Sequence, residues 1–257
     1  MKKQNLLFIP FVLFAGIAAF SCSVGNTGNI SNFPSAPAVV DTYMGETVCG
    51  TLWGYVAAPS LTDVSAGDCI FMQYVIDYDN QPSNPTTPYM TASGIDKTSV
   101  NQSPATINTN SEDAAELGDY TLPISNAGVF DFSQYGLSNA NSAFFNGKYF
   151  VQIICQDNYP SFRLVYNIKE PEINGVKNLY LQAKPSSLTG NVTDSVKIYA
   201  FDLSSILQQF SRDTTILGTS FKYIKVNLNY FNGMSGDTIV YKVSNSSSNQ
   251  DVYIFNK

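Results

Sequence analysis

Histidine is absent from this chain. With it go the usual general base of Ser-His and Cys-His catalysis and the commonest nitrogen ligand of zinc. Arginine occurs only as Arg163 and Arg212, and charged residues make up only 13% of the whole. Lys+Arg number 14 against 20 Asp+Glu, and the sequence pI is about 4.5. A surface of that sign repels polyanions, since nucleic-acid affinity rests on neutralising phosphates, so nucleic acid is not expected as a partner. No apolar run reaches the roughly 20 residues of a membrane-spanning helix. The longest, Leu6 to Phe20, is interrupted by Pro10. No catalytic residue, cofactor or metal-ligand set is assigned from these residues.

What is present begins with a leader. Lys2 and Lys3 precede the apolar stretch, and Ala19, Phe20, Ser21, Cys22 resembles a relaxed bacterial lipobox. Residues 1–21 are therefore expected to be a lipoprotein signal peptide, with Cys22 lipidated and the protein held at a membrane by its acyl chains. Loss of the two leader lysines would take the side-chain balance from −6 to −8. Residues 22–44 read as a lipidated tether, because SVGNTGNISNFPSAPAVVDT is rich in Gly, Asn, Ser and Pro. Ser23 follows the cysteine and Val24 to Gly28 holds no acidic cluster. These features favour the periplasmic leaflet of an outer membrane, with the cell surface as the alternative. The other cysteines, Cys49, Cys69 and Cys155, read as buried small hydrophobes. A hairpin about residues 57–68 would set Cys69 opposite residue 56 or so, several residues from Cys49.

Hydrophobic content of 44% with 17 Phe and 16 Tyr suits packed β cores. Thr47 to Val56 and Cys69 to Tyr78 read as strands. In the second, Ile70, Met72, Tyr74, Ile76 and Tyr78 share one face and Phe71, Gln73, Val75 and Asp77 the other. Residues 79–88 hold three prolines in ten positions and read as a loop. The stretch 89–128 is weakly patterned, with Ser111 placed to cap one helical turn, and a domain boundary is expected at its end. Further on, Tyr149, Val151, Ile153 and Cys155 alternate with polar and apolar neighbours, as do Phe162, Leu164, Tyr166 and Ile168. Later strands at similar spacing predict a sandwich. Leu203, Ile206, Leu207 and Phe210 recur at helical spacing after a capping Asp202.

Gly67, Asp68, MQYVIDYDN (72–80), DAAELGDYTLPI (113–124), KYFVQIICQDNYPSFRLVYNI (148–168), NLYLQAKPSS (178–187), IYAFDLSSI (198–206) and YIKVNLNYF (223–231) together resemble the NigD-like family of Bacteroidetes lipoproteins. The resemblance covers most of residues 45–245 and is weakest over 85–112. It implies an all-β protein: an N-terminal OB-type barrel over 45–127, then a C-terminal β-sandwich over 128–257 with one short helix. It carries no biochemical activity.

Candidate sites are few. Asp77, Asp79 and Asn80 could offer oxygens to calcium, or simply end a strand in a solvated turn. Trp53, Tyr55, Phe71 and Tyr74 lie in the barrel region, where Lys97 is the only base, and read as core rather than as a nucleic-acid platform. Phe130, Phe132, Tyr135, Phe144 and Phe145 occupy a Ser-, Asn- and Gly-rich stretch. There Tyr135, Phe144 and Phe145 could form a ligand platform, or the group could seal a domain joint. Ser195 and Thr238 stand in Asp-Ser-Val and Asp-Thr-Ile triplets that resemble the O-glycosylation acceptor of Bacteroidetes. The expected function is that of a non-catalytic, lipid-anchored envelope protein, an accessory or binding module whose partner is a glycan or an envelope protein. The alternatives are a glycan-binding protein or a carboxylate-based glycan hydrolase, the latter needing two acids converging in a cleft.

Overall fold

The structure, a computed structural model, describes residues 29–108, 117–135, 144–156, 160–186, 194–210, 212–216, 219–244 and 251–256. The leader, Cys22 and the expected cap at Ser111 lie outside them. The chain divides into two compact units between Val100 and Asn101.

The first unit is a five-stranded sheet of β1 (Ile30–Tyr43), β2 (Glu46–Thr51), β3 (Gly54–Ala57), β4 (Cys69–Asp77) and β5 (Ala92–Ser99), in the order β3-β2-β1-β4-β5. A parallel bridge between Ala57 and Thr91 joins the two ends, as in an OB-type barrel. The expected face of β4 is the interior one: Ile70, Met72, Tyr74 and Ile76 are buried with Ala38, Val40, Cys49 and Val56.

Residues 30–43, expected as tether, are instead a central strand. Ala38 and Val39 pair with both β2 and β4, Val40 to Tyr43 pair with β2, and the half that carries Pro34 and Pro37 pairs only with β4. A proline that cannot donate to a ladder is tolerated there, because one side of the strand has no neighbour to bond. The expected hairpin about 57–68 also gives way, since β1 lies between β2 and β4. Cys49 faces Val40 and Val56, Cys69 faces Val39 and its carbonyl accepts the Val100 N–H at 2.9 Å, and these two and Cys155 are buried thiols in no disulfide.

The second unit begins at β6 (Asn101–Asn108), about 27 residues ahead of the expected boundary. It continues with β7 (Ile124–Val129), a 3-10 turn (Phe132–Tyr135), β8 (Phe144–Phe145), β9 (Lys148–Cys155), β10 (Ser161–Asn167), β11 (Val176–Lys184) and β12 (Ser195–Asp202). After the helix Ser204–Phe210 come β13 (Arg212–Ile216), β14 (Thr219–Ser235), β15 (Thr238–Val243) and β16 (Asp251–Asn256). The polar segment 101–108 is a strand because its backbone runs parallel to β12 over its first half and to β10 over its second.

The resulting eleven-stranded sheet curls so that its halves enclose one core. Tyr149, Val151, Ile153 and Cys155 of β9 meet Phe162, Leu164 and Tyr166 of β10, Leu179 and Leu181 of β11, and Val226 and Leu228 of β14. The helix adds Ile206, beside Leu203 ahead of its first turn. Its start is held by Asp202, whose carboxylate accepts the Ser204 N–H at 2.8 Å and pairs with Lys148 at 3.3 Å.

Candidate functional site

Tyrosine side chains, one exposed and two half-buried, gather over the outward face of β1, β2 and β3. Alternation along β1 turns Val39, Asp41 and Tyr43 to one side. The registers set Tyr43 across from Glu46, Asp41 across from Val48, and Gly50 between Val39 and Tyr55. The loop between β4 and β5 crosses this face. Its end is joined to β3 where the Ala57 N–H donates to the Met90 carbonyl at 2.9 Å, and the Thr86 hydroxyl donates to the Glu46 carboxylate. Val48 and Ala57 are thereby buried although they point outward. Gln81 mimics a backbone partner at the loop's base: its Nε2 donates to the Asp77 carbonyl at 2.7 Å and its Oε1 accepts the Thr91 N–H at 2.7 Å.

That loop inserts Tyr89 between two other tyrosines. It stacks on Tyr55 with ring centroids 5.4 Å apart and meets Tyr43 edge-on at 5.7 Å. Tyr55 remains 41% exposed, as does Met90 beside Tyr89, and Met44 beside Tyr43 is 80% exposed. Burial and then the Asp41 carboxylate raise the Tyr55 phenol above its ordinary pKa. Met44 and Gly45 form the tight turn from β1 to β2, with φ values of 50° and 86°.

Next to Tyr55 opens a cleft lined by Phe33, Trp53, Tyr74, Tyr78 and Met90 among others. Phe33 and Tyr74 stack at 4.5 Å with planes 9° apart, and Trp53 leans on Phe33 at 5.3 Å. The cleft volume is about 30 Å³. That is roughly a tenth of the smallest pockets that engulf a drug-sized ligand. The cleft is too small to enclose such a ligand.

The residues singled out from sequence are dispersed. Cys22 lies outside the described residues. Tyr135 is half-buried at the end of the 3-10 turn, and burial raises its phenol pKa. Phe144 and Phe145 form β8, opposite Tyr149 and Lys148; their side chains are outside the description. Phe130 and Phe132 are buried, the latter packed edge-on against Phe150 of β9 at 5.9 Å. Ser195 is half-buried opposite Cys155, whereas Thr238 is exposed at the first position of β15. Asp77 is held by its turn: its carboxylate accepts the Asn80 amide at 2.7 Å and the N–H groups of Asp79 and Asn80, which lower its pKa. Asp79 accepts the Asn29 N–H at 3.0 Å. Among the described residues, no group of three His, Cys, Asp or Glu gathers to hold a metal.

Three acids of the second unit are likewise engaged. Glu172 pairs with Lys177 at 3.2 Å and Asp119 with Lys184 at 2.8 Å, while Glu170 accepts from the Asn178 amide at 2.6 Å and the Tyr180 hydroxyl at 2.9 Å. Two members of the tyrosine stack were missed in the sequence. Tyr43 sat in the expected tether and Tyr89 in the weakly patterned stretch. The available signal was the alternation of Asp41 and Tyr43 across a Met-Gly turn from Glu46.

No family model and no curated protein matches the chain. Solved structures do. An uncharacterized protein from Parabacteroides merdae ATCC 43184 is similar at 16% identity and a TM-score of 0.54, over 82% of this chain and 97% of that one. At that identity the likeness establishes the fold. A putative toxin-related protein from Parabacteroides distasonis ATCC 8503 is similar at 13% identity and a TM-score of 0.49, over 89% of this chain and 94% of the other. The structural neighbours also include a NigD-like immunity protein from Bacteroides caccae ATCC 43185, at 12% identity and a TM-score of 0.45, over 86% and 94% of the two chains. It carries the name of the family that the sequence resembles.

Proposed function

We propose that this protein is a non-catalytic binding module of a Gram-negative envelope, anchored by lipid at Cys22 to the periplasmic leaflet of the outer membrane. The observation that carries the binding role is the stack of Tyr43, Tyr89 and Tyr55 on the outward face of the barrel. OB-type barrels take their ligands on the face of strands 2 and 3 and the loops after strands 1 and 4, the elements that present these rings. The engagement of Asp77, Asp79, Asp119, Glu170 and Glu172 in hydrogen bonds and ion pairs supports a binding role over hydrolysis, which requires two acids facing one cleft. The partner is an envelope protein or a glycan. Thr238, exposed beside a turn, is a better-placed O-glycan acceptor than the half-buried Ser195.

The test is made in cells. A photocrosslinking residue replacing Tyr55 in the full-length protein should give a discrete adduct in the membrane fraction, and Cys22→Ala should abolish acylation and release the protein from that fraction. Acylated Cys22→Ala protein would remove the anchor. Release of reducing ends from envelope glycans by the purified protein would replace the binding module with an enzyme.

A further inference from the structure

We infer that the tyrosine face of the barrel takes a basic protein segment, with arginine or lysine side chains laid over the rings of Tyr55 and Tyr89 and opposite the carboxylates of Asp41 and Glu46. The inference rests on the binding-module reading and names its ligand class.

Charge is the first argument. Between Asn29 and Val100 seven carboxylates face a single base, Lys97, and that base is paired with Asp63 at 3.0 Å. Two of the seven stand on the same outward face as the tyrosines. Asp41 is two residues from Tyr43 on β1, and Glu46 lies directly across from it on β2. Asp41 is exposed and accepts the N–H of its neighbour Thr42 at 2.8 Å.

Shape is the second. Tyr55 keeps 41% of its surface exposed beside Gly50, which stands between it and Val39 in the register and adds no side chain of its own. The loop fixes Tyr89 over its neighbours through Gln81 and Thr86, which leaves a preformed platform. Cations are attracted to such ring faces, and arginine stacks on them best. The chain itself makes this contact elsewhere: the Arg163 guanidinium lies 4.0 Å from the centroid of Tyr120.

Competing ligands use only part of the surface. A neutral glycan would occupy the rings and leave the negative charge of Asp41 and Glu46 uncompensated. A polyanion would be repelled by them. The cleft beside the strip, lined by Phe33 and Trp53, is too small for a large apolar anchor. The basic segment is the occupant for which rings and carboxylates both act.

The test uses full-length protein in detergent and calorimetric titration with a capped Gly-Arg-Gly-Arg-Gly peptide. The controls are its citrulline counterpart, a neutral isostere, and a neutral β-glucan oligosaccharide. The arginine peptide should bind and weaken severalfold between low and high salt, and the citrulline peptide should not bind. Tyr55→Ala and Tyr89→Ala should each cost about threefold to tenfold in affinity while the protein still melts cooperatively. Tyr55→Phe should retain binding, and Asp41→Asn should weaken it and flatten its salt dependence. Equal binding of both peptides, no binding of the arginine peptide, or salt-independent oligosaccharide binding lost in Tyr55→Ala would each overturn the inference. If the arginine peptide fails while the in-cell adduct at position 55 persists, the ligand class falls and the binding module stands.

Discussion

Pro104 and Ala105 are neighbours in one strand yet pair into different halves of the second unit: Pro104 lies opposite Asp202 of β12, and Ala105 opposite Leu164 of β10. Strand β6 thus joins the two halves of the curled sheet, and it lacks a backbone donor at the point where it changes partner.

The first prediction follows from that position. A fragment starting at Asn101 should be soluble and cooperative in thermal melting. One starting at residue 128 lacks β6 and most of β7, leaves β10 and β12 with unpaired edges, and should aggregate. Circular dichroism and gel filtration compare them. Equal behaviour would show that β6 is dispensable.

Ile153 is fully buried on β9 within the core of the second unit. Ile153→Asp should unfold that unit, because an unpaired buried carboxylate costs several kcal/mol against a total stability of about 5 to 15 kcal/mol. A melting curve like that of the wild type would contradict the assigned face.

Thr51 Oγ lies 3.1 Å from the hydroxyl of buried Tyr74, and burial pushes the Tyr74 phenol up to about 12. Thr51→Val should leave that hydroxyl without this partner and destabilise the barrel by about 1–3 kcal/mol. Adding Tyr74→Phe should recover part of the loss. A denaturant double-mutant cycle with no coupling would show that the contact is energetically silent.

Burial pushes the Cys49 thiol up to about 11 from an ordinary value of 9.0. The folded protein keeps this proton while the unfolded chain releases it. The stabilisation is complete below about pH 9 and is lost as pH rises toward 11. By pH 10 the loss should be on the order of 1 kcal/mol. Urea midpoints at pH 8 and pH 10 should therefore draw closer together in Cys49→Ala. An unchanged gap would mean that other groups carry the alkaline slope.

Much of this protein was determined by side-chain order alone. The alternation of Ile70, Met72, Tyr74 and Ile76, and of Tyr149, Val151, Ile153 and Cys155, marks the buried face of each strand because a strand turns successive side chains to opposite sides. Leu203 and Ile206 after Asp202 likewise mark the capped helix. The character of the chain as an all-β protein poor in bases, with no histidine, needed nothing more.

Tertiary structure decided what depends on partners distant in sequence. Pro34 and Pro37 make residues 30–43 look like tether, but the first part of the segment gains β4 as a partner and the last part β2 once the barrel closes. Residues 101–108 carry little apolar pattern, and their strand exists because β10 and β12 supply the bonds. The tyrosine face is the same kind of product. Tyr43, Tyr55 and Tyr89 are spaced by 12 and 34 residues, and no local rule of spacing joins them. Two hairpin registers and one strapped loop bring their rings within contact distance, because backbone pairing, not sequence neighbourhood, sets which side chains share a face.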